Sequence, residues 1–264
     1  MSLINFFLIL SKYIRQRSNM KKIIKSILRS VISKYSKPDP QKILNDLSRG
    51  GAKIGKKVAI FNTDGVFIDN TRPWLLSIGD YTKITKGVVI LTHDYSLSTI
   101  RRTFGEYIGE GAKTVIGNNV FIGMNSIVLM GSSIGNNVIV GAGSVVHGSF
   151  PDNVVIAGNP AKIICTLEEH YLKRKSKTVN EAIECAKTFY ERFGTMPKPK
   201  DLKAFFPLFA KREKGYLESV GINLNPVGDE KEELMECFFN SKPYWNDFEE
   251  LLKAANLIDN EKQE

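Results

Sequence analysis

The sequence of 264 residues is short of the side chains that most often announce a specialised chemistry. Its three cysteines, Cys165, Cys185 and Cys237, are odd in number and lack CxxC spacing. That excludes a disulfide framework or zinc knuckle and fits a reducing cytoplasm. It holds only three histidines, His93, His147 and His170, so few side chains can exchange a proton near neutral pH. Long apolar runs are missing too: Leu3 to Leu10, interrupted by Asn5, falls far short of the ~20 residues of a spanning helix. The basic residues follow that run instead of preceding it, the reverse of a secretory signal. The reading is a cytoplasmic chain with no export signal and no transmembrane helix. Beyond residue 50 net charge is missing as well. Residues 1–50 hold 11 Lys/Arg against Asp39 and Asp46, which is the whole formal excess of +9. The body carries no compositional signal for nucleic acid.

What is present falls into three regions. In the basic arm, residues 1–50, the apolar residues Met20, Ile23, Ile24, Ile27, Leu28, Val31, Ile32 and Tyr35 form one helical stripe. Lys21, Lys22, Lys25 and Arg29 lie off it. Such an amphipathic helix either covers the open end of a core or docks peripherally on the anionic inner face of a membrane through residues 1–36.

Residues 51–164 follow a different rule. Aliphatics recur every six positions, at Ile54, Ile60, Val66, Ile78, Ile84 and Ile90, and again at Ile116, Ile122, Val128, Ile134, Val140 and Val146. Glycine follows several of them, and small or branched residues sit four further on (Val58, Thr82, Val88, Val120, Ser126, Val138, Ser144). Neither a helix of period 3.6 nor an alternating strand sustains a six-residue repeat. One short strand plus one corner does, and three such units make a triangular coil of about 18 residues. The two runs are out of phase. Between them lie Leu91-Thr92-His93-Asp94 and a polar stretch, so a loop over 94–114 is expected to leave one corner while the coil resumes above it. Loops on a rigid scaffold tend to carry function. Arg72-Pro73-Trp74 marks a smaller excursion.

From Cys165 to the end, residues 165–264, the repeat gives way to helical signals. Thr178 to Glu181 reads as a capping box with Gly194 as the stop, and further helices are expected over Leu202–Lys211, Glu230–Phe239 and Asn246–Ala255. The aromatics Phe205, Phe206, Phe209, Phe238, Phe239 and Trp245 read as a small core of this region, and helices at the ends of an open parallel coil would cover its unpaired strand edges.

The segment Ile134-Gly135-Asn136-Asn137-Val138-Ile139-Val140-Gly141-Ala142-Gly143-Ser144-Val145-Val146, with Gly158-Asn159-Pro160-Ala161-Lys162 after it, resembles the closing coils of the hexapeptide-repeat acyltransferases. The resemblance covers somewhat under half the chain, and the helical tail is most similar to capsule and surface-polysaccharide O-acetyltransferases. It implies a left-handed parallel β-helix. It also implies a homotrimer with acetyl-CoA along the outside of the prism, between two subunits, and direct transfer of the acetyl group to a sugar hydroxyl of a saccharide or polysaccharide precursor. His93 matches the family's base position; an imidazole titrating near 6.5 is suited to take a hydroxyl proton. The resemblance points to Met124, Ala142 and Lys162 for contacts with CoA, and to His147 on the CoA side in place of the usual threonine. Asp94 is open between binding sugar, orienting the His93 ring and capping its turn. The Thr-Lys pair of the family is His147-Gly148 here and a following arginine is Cys165, so phosphate contacts fall to Lys173, Arg174 or Lys175. No metal is required.

The same prism hosts other functions. A γ-type carbonic anhydrase needs a third coil histidine for zinc, and a sugar nucleotidyltransferase needs a nucleotide-binding domain ahead of the prism. Transfer to the amine of a nucleotide-linked amino sugar and a non-catalytic trimeric scaffold are the remaining alternatives.

Overall fold

A computed structural model describes residues 38–94, 96–224 and 227–259. The expected stripe from Met20 to Tyr35 lies outside them.

Among the described residues fifteen strands, nearly all of two or three residues, wind into a three-faced prism. They run from β1 (Lys53–Ile54), β2 (Ala59–Ile60) and β3 (Phe67–Ile68) to β14 (Val154–Gly158) and β15 (Ala161–Thr166). One face stacks β1-β4-β7-β10-β13, the second β2-β5-β8-β11-β14-β15, and the third β3-β6-β9-β12. Every pairing is parallel except the closing β14–β15 hairpin. The register stacks the hexad aliphatics on one another: Ile78 on Ile116 and Ile134, Ile84 on Ile122 and Val140, Ile90 on Val128 and Val146. All of these are buried, and each contributes about 1.5–3 kcal/mol by leaving water. Four positions after them Thr82, Val88, Val120, Ser126, Ser132, Val138 and Ser144 are buried as well, whereas Asp94 and Phe150 break the pattern. The hydroxyls donate to corner carbonyls, as Thr82 Oγ1 does to Gly117 O at 3.0 Å and Ser126 Oγ to Gly141 O at 3.0 Å.

One corner is held by a polar ladder. Asp80 Oδ1 accepts from Lys56 N, Asn118 Oδ1 from Asp80 N, Asn136 Oδ1 from Asn118 N and Asp152 Oδ1 from Asn136 N, at 2.7–2.8 Å. A Cβ on Gly117 would lie 2.5 Å from the carbonyl oxygen of Gly135, so only glycine lets successive coils stack this closely there.

The repeat is less regular than the sequence suggests. The inward residue of the third face in the first coil is Ile68, paired with Ile90, and Val66 is only half-buried beside it. Two extra residues enter the turn after Ile60, and the Arg72–Leu75 excursion adds four more. Together they make one full hexad, which is why the later aliphatics return to the same phase.

Both ends of the prism are covered. At the base, α1 (Pro40–Arg49) drives Leu44 and Leu47 into the core, with Asp39 as its N-cap accepting from Gln41 N at 3.1 Å. At the other end the β14–β15 hairpin leads into a helix, Leu167–Phe193, that starts earlier than expected. The capping box is Thr166 with Glu169, and Thr178 lies inside the helix; Gly194, left-handed at φ 62°, ends it. The tail builds a second core around Ala182, Ala186, Leu202, Phe209, Phe238, Trp245 and Leu251, while Phe239 stays exposed. The region expected to be helical over Leu202–Lys211 is a 3₁₀ stretch, Pro199–Leu208, interrupted at Leu202 and containing Pro207. The tail reaches back to the second face of the prism, where Lys83 meets Asp229 at 2.7 Å and Lys57 meets Glu230 at 2.9 Å.

Candidate active site

The excursion leaves the prism after β6 (Val89–Ile90) and returns at β7 (Thr114–Ile116). Its two ends are tied at the corner by Thr114 Oγ1, which donates to Leu91 O at 2.7 Å, and by Ala112 N, which donates to Thr92 O at 3.4 Å. Within it α2 (Leu97–Phe104) forms a short helix that the polar composition had hidden, ended by Gly105 at φ 69°. His93 stands at the start of this excursion and is nearly buried.

The ring is held from the coil below. Asp69 directly follows β3, its backbone N–H donates to Ile90 O at 2.9 Å, and its side chain is fully buried. Asp69 Oδ2 accepts from His93 Nδ1 at 2.5 Å, from Thr92 N at 3.2 Å and from the Thr92 hydroxyl. Asp69 Oδ1 accepts from Thr71 N at 2.9 Å and from Thr71 Oγ1 at 2.7 Å. Burial by itself would raise the Asp69 carboxyl; the bonds from Thr92, then from Thr71 and His93, outweigh it and hold the group well below the usual carboxylate range. A carboxylate that accepts from Nδ1 fixes the tautomer, so Nε2 is the nitrogen that carries the ring's basic lone pair. Sequence reading did not find Asp69 or Thr71. An acid 24 residues before a histidine carries no signal until one coil is stacked on the next.

Asp94 does not fill this role. Its Oδ1 accepts from Ser96 N at 2.8 Å and its Oδ2 from Ser96 Oγ at 3.1 Å, so it caps the turn into α2. It also lines a cavity of about 210 Å³, together with His93, Arg72, Leu97, Ser98, Arg101, Tyr107 and Ile108.

The remaining candidates fall on two edges of the third face. Met124 and Ala142 lie on the corner that enters it, joined by Gly143 N donating to Met124 O at 2.8 Å. Lys162 sits at the same edge in the closing hairpin, opposite Ala157, and all three are exposed. His147 lies on the opposite edge, the one that carries His93: Leu91 N bonds to Val128 O and Leu129 N to Val146 O, which stacks positions 91, 129 and 147. Arg174 is engaged by Glu181 through two bonds of 2.9 and 2.6 Å, and Lys175 rests over the Tyr171 ring. Among the described residues no group of three His, Cys, Asp or Glu side chains could hold a metal, and no helix is long and apolar enough to cross a membrane.

Known proteins are similar to this chain in sequence over the coils. The family described as bacterial transferase hexapeptide (six repeats) matches residues 113–148. Protein CapG of Staphylococcus aureus is 44% identical over 123 residues, 47% of this chain and 70% of its own length. YvoF of Bacillus subtilis (strain 168), provisionally named an acetyltransferase, is 33% identical over 44% of this chain and 62% of its own. WbbJ of Escherichia coli (strain K12), provisionally named a lipopolysaccharide biosynthesis O-acetyl transferase, is 60% identical over 55 residues, 21% of this chain and 28% of its own. With the repeats matched on strands that stack as successive coils, and more than two thirds of CapG covered, the chain belongs to the hexapeptide-repeat acyltransferase family.

Proposed function

We propose that the chain is an acetyl-CoA-dependent O-acetyltransferase that acts on a sugar hydroxyl of a saccharide or surface-polysaccharide precursor, with His93 as general base. The observation that carries this reading is the Asp69–His93 pair. A buried, ionised carboxylate fixes the imidazole tautomer, and the ring lines a cavity large enough for a sugar. Nε2 of His93 takes the proton of the acceptor hydroxyl as its oxygen attacks the thioester carbonyl. The same proton then passes to the departing CoA sulfur, so the base is regenerated. The tetrahedral oxyanion needs a backbone N–H at the corner as its donor. Asp69 is a positioning residue that also stabilises the imidazolium formed on the way.

Met124, Ala142 and Lys162, exposed along one edge, are suited to the pantetheine and phosphates of CoA: small and apolar side chains first, then a cation. That edge and the His93 edge bound opposite sides of the third face. Its outward column is Phe67, Val89, Ile127 and Val145, apolar throughout, whereas the first face presents Lys53, Ser77, Val115, Ser133 and Ser149. Covering this column by a second copy in a homotrimer would set the His93 edge of one subunit against the CoA edge of the next. The names of WbbJ and YvoF favour acetyl as the acyl group and oxygen as the acceptor.

The test is release of CoA thiol from acetyl-CoA against a panel of saccharides and nucleotide sugars. Thiol release with a neutral hydroxyl acceptor and formation of an ester is expected. Acylation confined to amino sugars would replace this reading by N-acetyl transfer, and no turnover with any acceptor would overturn it.

A further inference from the structure

The Arg72-Pro73-Trp74 excursion has no part in the mechanism above, yet it places a charged side chain in the His93 cavity. Arg72 is half-buried. Its Nη1 is shielded from solvent and, among the described residues, makes no hydrogen bond. Unpaired buried donors are uncommon in native proteins and costly, most of all on a charged group. The stem packs on the returning strand of the excursion, where a Cβ on Gly111 would lie 3.7 Å from Arg72 Cδ. The neighbouring Glu110 does not satisfy the guanidinium, since its own Oε1 is buried and unpaired. Arg101, on α2, lines the same cavity from the other side, 5.9 Å from the Tyr107 ring centroid. The acid that lines it, Asp94, is already occupied by Ser96. Within the cavity lining, two guanidinium groups therefore stand beside His93 against one carboxylate, Asp94, which is already engaged; Asp69 holds the ring from behind and is not part of that lining. At about 210 Å³ the space is smaller than the ~300–1,000 Å³ of pockets that engulf a drug-sized ligand, and suits one ring with a substituent.

We propose that the acceptor is an anionic sugar, a ring that carries a carboxylate or a phosphate, and that Arg72 binds this anion while His93 faces the hydroxyl. The inference rests on the transferase reading and names its substrate class. A carboxylate or phosphate oxygen supplies the acceptor that Arg72 Nη1 lacks, and the planar fork of arginine matches either anion in two parallel bonds.

Binding to the full chain, followed by saturation-transfer NMR in the presence of CoA, tests this with methyl hexuronosides, the matching neutral methyl hexosides and hexose 1-phosphates. The wild type should bind the anionic ring about 10- to 100-fold more tightly than its neutral counterpart, the range of a hydrogen bond to a charged group. Arg72→Gln should bring that ratio close to one, and Arg72→Lys should keep part of it because the charge remains while the fork is lost. Arg101→Gln, at an exposed position, gives a smaller drop and serves if Arg72→Gln does not fold. A preference for the uronoside assigns the carboxylate, and a preference for the 1-phosphate assigns phosphate. Equal binding of acidic and neutral rings by the wild type, or a ratio untouched by Arg72→Gln and Arg101→Gln alike, overturns the inference. Thiol release measured in parallel keeps the two readings apart. An anion preference without turnover of any acceptor unseats the transferase reading alone, and turnover without an anion preference unseats only the inference.

Discussion

Replacing Asp69 by Asn is the sharpest perturbation the site offers, because shape is kept while hydrogen-bond polarity is inverted at one oxygen. In the native site the two carboxylate oxygens accept from Thr71 N, Thr71 Oγ1, Thr92 N, Thr92 Oγ1 and His93 Nδ1, with no solvent contact. An amide keeps one oxygen and sets an NH₂ against the other donors. The threonine hydroxyls can rotate to accept, but the Thr92 or Thr71 backbone N–H cannot. Each buried donor left facing another costs about 1–3 kcal/mol, so a loss of about 2–4 kcal/mol is expected after relaxation. The larger effect is chemical. His93 meets the NH₂ by turning Nδ1 into an acceptor, which moves its proton to Nε2 and removes the base. A tautomer error of this kind costs on the order of 10⁴ in kcat where a triad carboxylate is made an amide. The rate is read as CoA thiol release at saturating acceptor, the stability by thermal melting, and the tautomer by ¹⁵N chemical shifts of the His93 ring. If the variant keeps kcat within about tenfold of wild type, less than removal of a general base costs, the assignment of Asp69 as the positioning group is refuted. A slow enzyme with an unchanged tautomer would refute the reasoning in a different way, by separating rate from ring orientation.

The other expectations are simpler. His93→Ala should lower kcat by about 10²–10⁴ and leave the melting temperature within a few degrees, since Asp69 keeps four of its donors; wild-type turnover would end the mechanism. Because the folded Asp69 pKa lies below the unfolded value of about 3.9, its stabilisation is full at pH 5 and above and is lost as pH falls below about 4. The stability gap between wild type and Asp69→Asn should therefore narrow as pH falls below about 4, and a gap that goes on widening below that pH contradicts the sign. Ile127→Glu sets a charge in the apolar outward column and should shift light scattering from trimer to monomer; an intact trimer would move the interface elsewhere. Removing residues 1–36 should abolish salt-sensitive sedimentation with anionic liposomes, at about 1 kcal/mol per basic residue near the surface, and absence of binding by the intact chain would leave the arm as a cap.

The sequence by itself determined the prism. A six-residue period fits one short strand and one corner and nothing else, so Ile78, Ile84, Ile90 and the run from Ile116 to Val146 were legible as an inward column before any coordinate. The break in phase placed His93 at a corner, and the Gly-Asn-Pro-Ala-Lys ending identified the family, from which alone the left-handed coiling follows. The tail was read in part: Gly194 stops its helix as expected, but Thr166, not Thr178, starts it, because a capping box requires the turn before it to be non-helical. Only the tertiary structure decided which residues meet His93. Coil stacking joins positions 18 residues apart where the repeat is unbroken, 22 apart at Ile68 and Ile90, which brings Asp69 to His93, and 38 apart across the excursion. Those distances depend on how many residues each corner absorbs. The same uncertainty of count hid Ile68 behind Val66, left Arg72 as a mere interruption, and made Asp94, next in sequence, the visible partner for a ring that Asp69 holds from the coil below.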